Sequence, residues 1–222
     1  MRLAIALGDD MTRATDMARR ADELGIWGVE VRGPAGTETA RAAYVAHATS
    51  HVRIIVRIHL DAEHPYTLAE EIAVLDNLSA GRAVALIEMG SASEQALLTL
   101  ANALAGRVTG GSLVSPPPVQ PQVPIWLTTP DHSHLAGLAK RPESLGDHGL
   151  RSVSPGSVEL SGDLDVDRPI VDEWMMAGCT HLLVSWPSDD LRPLARHLAA
   201  RASMVAFPEI MSDMADEIEP WN

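Results

Sequence analysis

Polar and ionisable residues stand at the ends of several short aliphatic runs. Gly8, Asp9 and Asp10 follow Leu3 to Leu7, and Arg32 and Gly33 follow Trp27 to Val31. His59 closes Val52 to Ile58, Glu88, Met89, Gly90 and Ser91 follow Ala83 to Ile87, Thr128 and Thr129 end the run from Ile125, and Ser185 and Trp186 end another from His181. An imidazole and a carboxylate at such ends, His59 and Glu88, are the groups a proton transfer needs, Glu88 acting as a base if burial raises its pKa. A guanidinium at Arg32 can meet a phosphate or a substrate carboxylate. Each has a plainer reading: His59 as a hydrogen-bonded structural ring, Arg32 paired with Glu30 on a surface, Glu88 as a solvated loop carboxylate. Asp131-His132-Ser133-His134 lacks a third placed ligand and reads as a polar loop, so no metal site is expected. Cys179 follows the helix-ending Gly178 and precedes a strand, the position of a packing residue rather than a nucleophile. Neither a G-x-S-x-G elbow nor a G-x-G-x-x-G turn is present.

The elements that must carry these residues alternate. The strands are Leu3 to Leu7, Trp27 to Val31, Val52 to Ile58, Ala83 to Ile87, Ile125 to Thr128 and His181 to Trp186. Between them lie helical stripes: Ala14, Met17, Ala18, Ala21 and Leu24; a helix over Glu38 to Ala48; Leu68, Ile72, Leu75 and Leu78; and a helix near Glu94 to Leu104. Gly106 to Pro124 is a proline-rich loop, and Pro130 to Asp165 has weak periodicity. Asp167 as an N-cap with Pro169 in the first turn predicts a helix ending at Gly178, and Asp190 to Ala202 predicts the last one, with Leu191, Leu194, Ala195 and Leu198 inward. Repeated strand–helix units without a dinucleotide fingerprint predict a (β/α) TIM-type barrel, compact or incomplete, with fewer than eight full βα units, the missing strands falling in Pro130 to Asp165. In such a fold the strand-end residues line the active site.

The chain has 222 residues, 46% hydrophobic and 21% charged, which predicts one globular domain over residues 1–210 and an acidic tail over 211–222 that is loose or docked through Trp221. A formal charge of −13 argues against nucleic acid or an anionic membrane as partner. One cysteine excludes an internal disulfide and, with no signal peptide or apolar span read, leads us to expect a cytoplasmic protein.

His64 to Arg82, reading HPYTLAEEIAVLDNLSAGR, resembles the H-P-x-x-x-A-E-E-x-A-x-L-D-x-L-S-x-G-R signature of the bacterial luciferase-like family of flavin- or F420-dependent oxidoreductases. Pro118-Val119-Gln120-Pro121 through Val123-Pro124-Ile125-Trp126 is similar to the family's P-x-P-V-Q-x-P-x-P-P-I-W segment, and Ala21 to Val29 and Ala177 to Leu182 agree more loosely. The resemblance spans roughly Arg2 to Phe207, with a shortened second half. It implies a barrel that binds FMN, in its reduced form, or coenzyme F420 at the strand C-termini, acts on a small molecule by oxidoreductase or monooxygenase chemistry, and forms a homodimer or a heterodimer with a related luciferase-like chain. At the strand ends so placed, Arg32, His59, Met89, Gly90 and Thr128 are the candidate cofactor-binding residues, and His59 and Glu88 the candidate catalytic ones. Glu30-Val31-Arg32-Gly33 stands where many members carry an acidic residue and paired histidines, and Leu86 to Gly90 keeps only the last glycine of the family's G-x-G-x-G run. Two alternatives therefore stay open: a degenerate flavin-binding or partner subunit, and an unrelated barrel enzyme using Glu30, His59 and Glu88.

Overall fold

The computed structural model describes residues 1–107, 113–128, 152–153 and 156–199. Its strands are β1 (Arg2–Ala6), β2 (Gly28–Val31), β3 (Arg53–His59), β4 (Ala83–Glu88), β5 (Ile125–Leu127), β6 (Ser152–Val153), β7 (Gly156–Glu159) and β8 (His181–Ser185). They pair in parallel in the order β6-β5-β4-β3-β2-β1-β8-β7. This is the cyclic order of a (β/α) barrel, and among the described residues the seam between β6 and β7 is left unpaired. Helices α1 (Met11–Glu23), α2 (Glu38–His47), α3 (Pro65–Leu78), α4 (Glu94–Leu104) and α5 (Leu164–Met176) follow β1, β2, β3, β4 and β7, and a π-helical turn, Leu194–Ala199, follows β8. β6 and β7 both fall in the stretch whose periodicity was too weak to assign from sequence.

Period-two alternation sorts each strand into two faces. Outward residues such as Ile5, Val29, Ile54, Val56, Ile58, Ala85, Ile87 and Val184 join the helices in the larger core, while Ala4, Ile55, Val84, Leu86, Trp126 and Leu183 form a smaller cluster inside the curl of the sheet. Residues from β1, β3, β4, β5 and β8 meet there only because the sheet bends round on itself.

Four expectations need correction. Leu24 is the C-cap of α1 and is exposed, and Leu78 is exposed because the 3.6-residue turn has carried it away from the Leu68–Leu75 stripe. α5 starts three residues before Asp167, capped by Asp163, whose side chain accepts from the Asp165 N–H, and Pro169 lies inside the helix. Asp167 is instead fully buried and accepts from the backbone N–H groups of Ser161 and Gly162 and the Ser161 hydroxyl, closing the loop that enters the helix. The last helix takes π geometry, although Leu191, Leu194 and Leu198 are buried as expected. Thr129, Asp131, His132, His134 and the acidic tail with Trp221 lie outside the described residues. Among the described residues no helix is long and apolar enough to cross a membrane.

At the N-terminal end of the strands the Trp27 and Trp126 rings stack with centroids 5.6 Å apart and planes 13° apart. The His181 ring lies 4.9 Å from the first and 4.7 Å from the second, and the Arg2 guanidinium 5.7 Å from the Trp27 ring. Burial, followed by the charges of Arg2 and the N-terminus, pushes the His181 pKa from 6.5 down to about 4. The unfolded chain therefore takes up this proton first as pH falls. The neutral ring's contribution to stability is complete above pH 6.5 and is lost progressively as pH falls to about 4, up to about 3 kcal/mol in all. Urea midpoints measured across that window should fall for the native chain and stay nearly level for His181→Gln; equal slopes for the two would reject the assignment.

Candidate functional site

The C-terminal ends of β2, β3 and β4 bring the expected chemistry together. His59 and Glu88 are register partners, so their side chains share the inward face with Ile55 and Arg57 on one strand and Val84 and Leu86 on the next. Glu30 occupies the corresponding inward position of β2, and Arg32 follows directly after that strand.

Glu30 is the centre of the arrangement. Its carboxylate is 0% exposed and accepts from two guanidiniums: Arg32 through Nε at 3.0 Å and Nη2 at 2.9 Å, and Arg57 through Nε. Arg57 also donates through Nη1 to Glu88 Oε1, and Glu88 Oε2 lies 3.0 Å from His59 Nδ1. Burial works against the Arg57 charge, but Glu30 and Glu88 outweigh it and raise its pKa above the ordinary guanidinium value. Two carboxylates and two guanidiniums balance, which is the condition for keeping such groups out of water. With Nδ1 bonded to Glu88, the ring nitrogen left to accept or release a proton is Nε2, and the His59 side chain is 36% exposed. The Arg32 side chain is 40% exposed, so its pairing with Glu30 fixes its plane without covering it.

The other expected residues occupy different surroundings. Met89 is partly buried against the main core. Thr128 donates its N–H to the Ile87 carbonyl at 3.0 Å, with its hydroxyl 3.3 Å from the same oxygen, and so extends the β4–β5 ladder by one residue. Gly90 has φ +52°, and a Cβ there would lie 2.2 Å from Asp61 Oδ2. That carboxylate accepts from the Ser91 N–H at 3.0 Å and hydroxyl at 3.1 Å, clasping the loop after β4 to the loop after β3. Glycine is required here by a protein carboxylate.

Beside the network, between the ends of β1 and β8 and the start of α1, lies a cavity of about 330 Å³ lined by Ala6, Leu7, Gly8, Asp9, Asp10, Arg13, Ala14, Met17, Arg32, Ser185 and Trp186. Its acids are partly committed: Asp10 caps α1, accepting from the Thr12 and Arg13 N–H groups. The cavity combines apolar walls, the Asp9 and Asp10 carboxylates and the open side of Arg32, so a ligand's ring fits the walls and an anionic group fits only toward Arg32, away from those acids. The loop at Gly90 does not suit an anion, because Asp61 holds that space.

Arg57 was missed in the sequence. Its signal was parity: an arginine two residues before a strand-end histidine shares that histidine's face. In the sequence Glu30 reads as a surface partner of Arg32 or as a group of an unrelated enzyme, since nothing local marks it as buried. Cys179 is buried as expected, its thiol donating to the His181 carbonyl at 3.0 Å, and burial pushes its pKa up. Among the described residues no group of three or more His, Cys, Asp or Glu is placed to hold a metal ion.

The signature stretches are joined structurally. The fully buried Asp76 carboxylate on α3 accepts from the Gln120 N–H at 2.8 Å and from its Nε2 at 2.7 Å, tying the segment before β5 to that helix. His64 caps α3, accepting from the Tyr66 N–H.

Residues 3–101 match the luciferase-like monooxygenase family. Among solved structures, EDTA monooxygenase from Chelativorans sp. BNC1 is 12% identical, with a TM-score of 0.67 over 92% of this chain and 94% of that one. Coenzyme F420-dependent tetrahydromethanopterin reductase from Methanopyrus kandleri is 17% identical, with a TM-score of 0.56 over 83% of this chain and 65% of that one. A monooxygenase from Streptomyces bottropensis is 16% identical, with a TM-score of 0.51 over 96% and 81%. At these identities the structures speak for the fold. No curated protein sequence matches the chain.

Proposed function

With residues 3–101 matched to the luciferase-like monooxygenase family and the strands in barrel order, we propose that the chain is a flavin- or F420-dependent oxidoreductase, a monooxygenase in the family's manner, acting on a small molecule at the C-terminal mouth of the barrel. The observation that carries this reading is the Glu30–Arg57–Glu88 network, which fixes a half-open guanidinium, Arg32, on the wall of a cavity of about 330 Å³ and a half-open imidazole, His59, at the end of β3 in the same barrel mouth.

In this reading Arg32 binds the anionic part of the cofactor, with Met89 and Thr128 at the edge of the same mouth. FMN in its reduced form and coenzyme F420 both carry such a part together with a flat ring. When bound, either supplies the hydride or oxygen chemistry that no side chain here can perform. His59 accepts or returns a proton at Nε2, while Glu88 holds its Nδ1 and so sets the tautomer. Trp186, in the cavity wall, excludes water from that side. Gly90 shapes the loop through its contact with Asp61 rather than meeting phosphate.

Anaerobic titration of the purified chain with oxidised and reduced FMN and with F420 tests this. Saturable binding of one of them is expected, weakened about tenfold or more by Arg32→Gln, which removes one charge-assisted contact. His59→Gln should bind the cofactor normally and lower turnover about a hundredfold once a substrate is in hand. Absence of binding by either cofactor in both redox states would overturn the proposal. One observation favours a second reading, a partner subunit without a working site: the Asp61 carboxylate stands beside the one glycine kept from the family's run after β4. Failure of the lone chain to bind, with binding restored by a related luciferase-like chain, would select it.

A further inference from the structure

The N-terminal end of the barrel carries a second cavity, of about 350 Å³, on the far side of the packed layer formed by Ala4, Ile55, Leu86 and Leu183. That volume lies in the range of small-molecule sites. Its aromatic wall is the Trp27–Trp126 stack with His181 tilted against both rings. Its charged lining is Arg2 and Arg53, with no carboxylate among the lining residues, in a chain whose formal charge is −13. This end of a barrel ordinarily serves stability alone.

Neither guanidinium is neutralised by an acid among the described residues. Arg53 donates through Nη1 to the Gly81 carbonyl at 2.8 Å and to Gln120 Oε1 at 3.2 Å, which fixes its position and leaves its charge uncompensated. Arg2 is exposed at the rim, with its guanidinium over the Trp27 ring. The small residues Ala4 and Gly28 are inward neighbours just above the tryptophans, and a Cβ at Gly28 would already press on Ala4 and Ile55 at 3.3 Å. The inside of the barrel is thus full down to the aromatic layer, and the open volume begins there.

We propose that this end of the barrel is a binding site for a planar aromatic monoanion, such as an aromatic carboxylate, whose ring lies against the Trp27–Trp126 wall and whose acid group pairs with Arg2 and Arg53. Two stacked indoles supply flat, polarisable surface, and the guanidinium fork of either lining arginine supplies the bidentate recognition of a carboxylate that lysine would not. His181 stays neutral near pH 7 and contributes ring contact rather than charge. The site is independent of the mouth chemistry, because it uses none of the residues assigned there.

The test is calorimetric titration of the full chain with 2-naphthoate at about pH 7, alongside the uncharged 2-naphthalenemethanol. Saturable binding of the carboxylate is expected, about tenfold or more stronger than that of the alcohol. Arg2→Gln, at an exposed rim position, should remove most of that preference while leaving the circular dichroism melt unchanged. Trp27→Leu should weaken both probes, and Arg32→Gln should weaken neither. Equal affinity for the two probes, loss of naphthoate binding in Arg32→Gln but not in Arg2→Gln, or no saturable binding of naphthoate would each overturn the proposal. Flavin or F420 binding at the mouth is measured separately and can fail without affecting this result.

Discussion

Glu30→Ala should destabilise the chain by about 3–5 kcal/mol, read as a fall in the urea midpoint at about pH 7. The reason is the position of the carboxylate. It is fully buried and neutralises Arg57, whose own side chain is only 18% exposed, while also holding Arg32 through two hydrogen bonds. Removing it leaves a buried guanidinium with Glu88 as its remaining acid partner, and a buried charge stripped of a partner is far more costly than the pair was beneficial. Glu30→Gln keeps the shape and one acceptor oxygen but places an amide donor among guanidinium donors, so it should lie between Ala and the native residue. The double change Glu30→Leu with Arg57→Leu should recover much of the loss, because apolar groups of similar volume incur no desolvation cost. A drop below about 1 kcal/mol for Glu30→Ala would show the network to be solvated.

Arg82→Ala is expected to be nearly as damaging, at about 3 kcal/mol, for a different reason. Its guanidinium donates to the Ser79 carbonyl at 2.7 Å, the Val52 carbonyl at 2.9 Å, the Ala46 carbonyl at 2.9 Å, the Thr49 carbonyl at 3.1 Å and the Thr49 hydroxyl at 3.0 Å. These oxygens lie where α2 and α3 end and where the chain enters β3, and without the arginine they lose a common donor. Burial pushes the Arg82 pKa down and the charge of Arg53 adds to this, while Asp22 opposes it; the group nonetheless stays charged, as a guanidinium does at any working pH. Lysine offers a point charge and no fork, so Arg82→Lys should recover only a minor part of the loss. Thermal or urea unfolding of both variants checks this. A change within about 0.5 kcal/mol for Arg82→Ala would mean that water replaces the fork without cost.

These two cases divide what was legible in the sequence from what was not. The arginine closes the Leu78-Ser79-Ala80-Gly81-Arg82 end of the signature, between a helix and a strand that are both legible in the sequence, and the structure places its donors on helix-end carbonyls. The buried glutamate gave no such sign. In the linear chain Glu30-Val31-Arg32 looks like a surface ion pair, and only the third partner, Arg57 from the next strand, turns it into a buried network. Strands β1 to β5 and β8 and helices α1 to α4 were readable because an aliphatic period of two or 3.6 residues is written locally. β7 was not, since Gly156, Ser157, Val158 and Glu159 hold little apolar signal and become a strand by pairing with Leu182 to Ser185.

By itself, the sequence determined the order of β1 to β5 and β8 and of the helices between them, the expectation of a parallel barrel from their alternation, and which strand ends carry His59, Glu88 and Arg32. Only the tertiary structure decided the burial of Glu30, the Asp61 contact at Gly90, the link from Asp76 to Gln120, and the meeting of Trp27, Trp126 and His181 across the curled sheet. Periodic burial is a property of neighbours along the chain. A charge's surroundings, and an aromatic ring's partners, depend on strands that pair at long sequence separation and on how far the sheet bends.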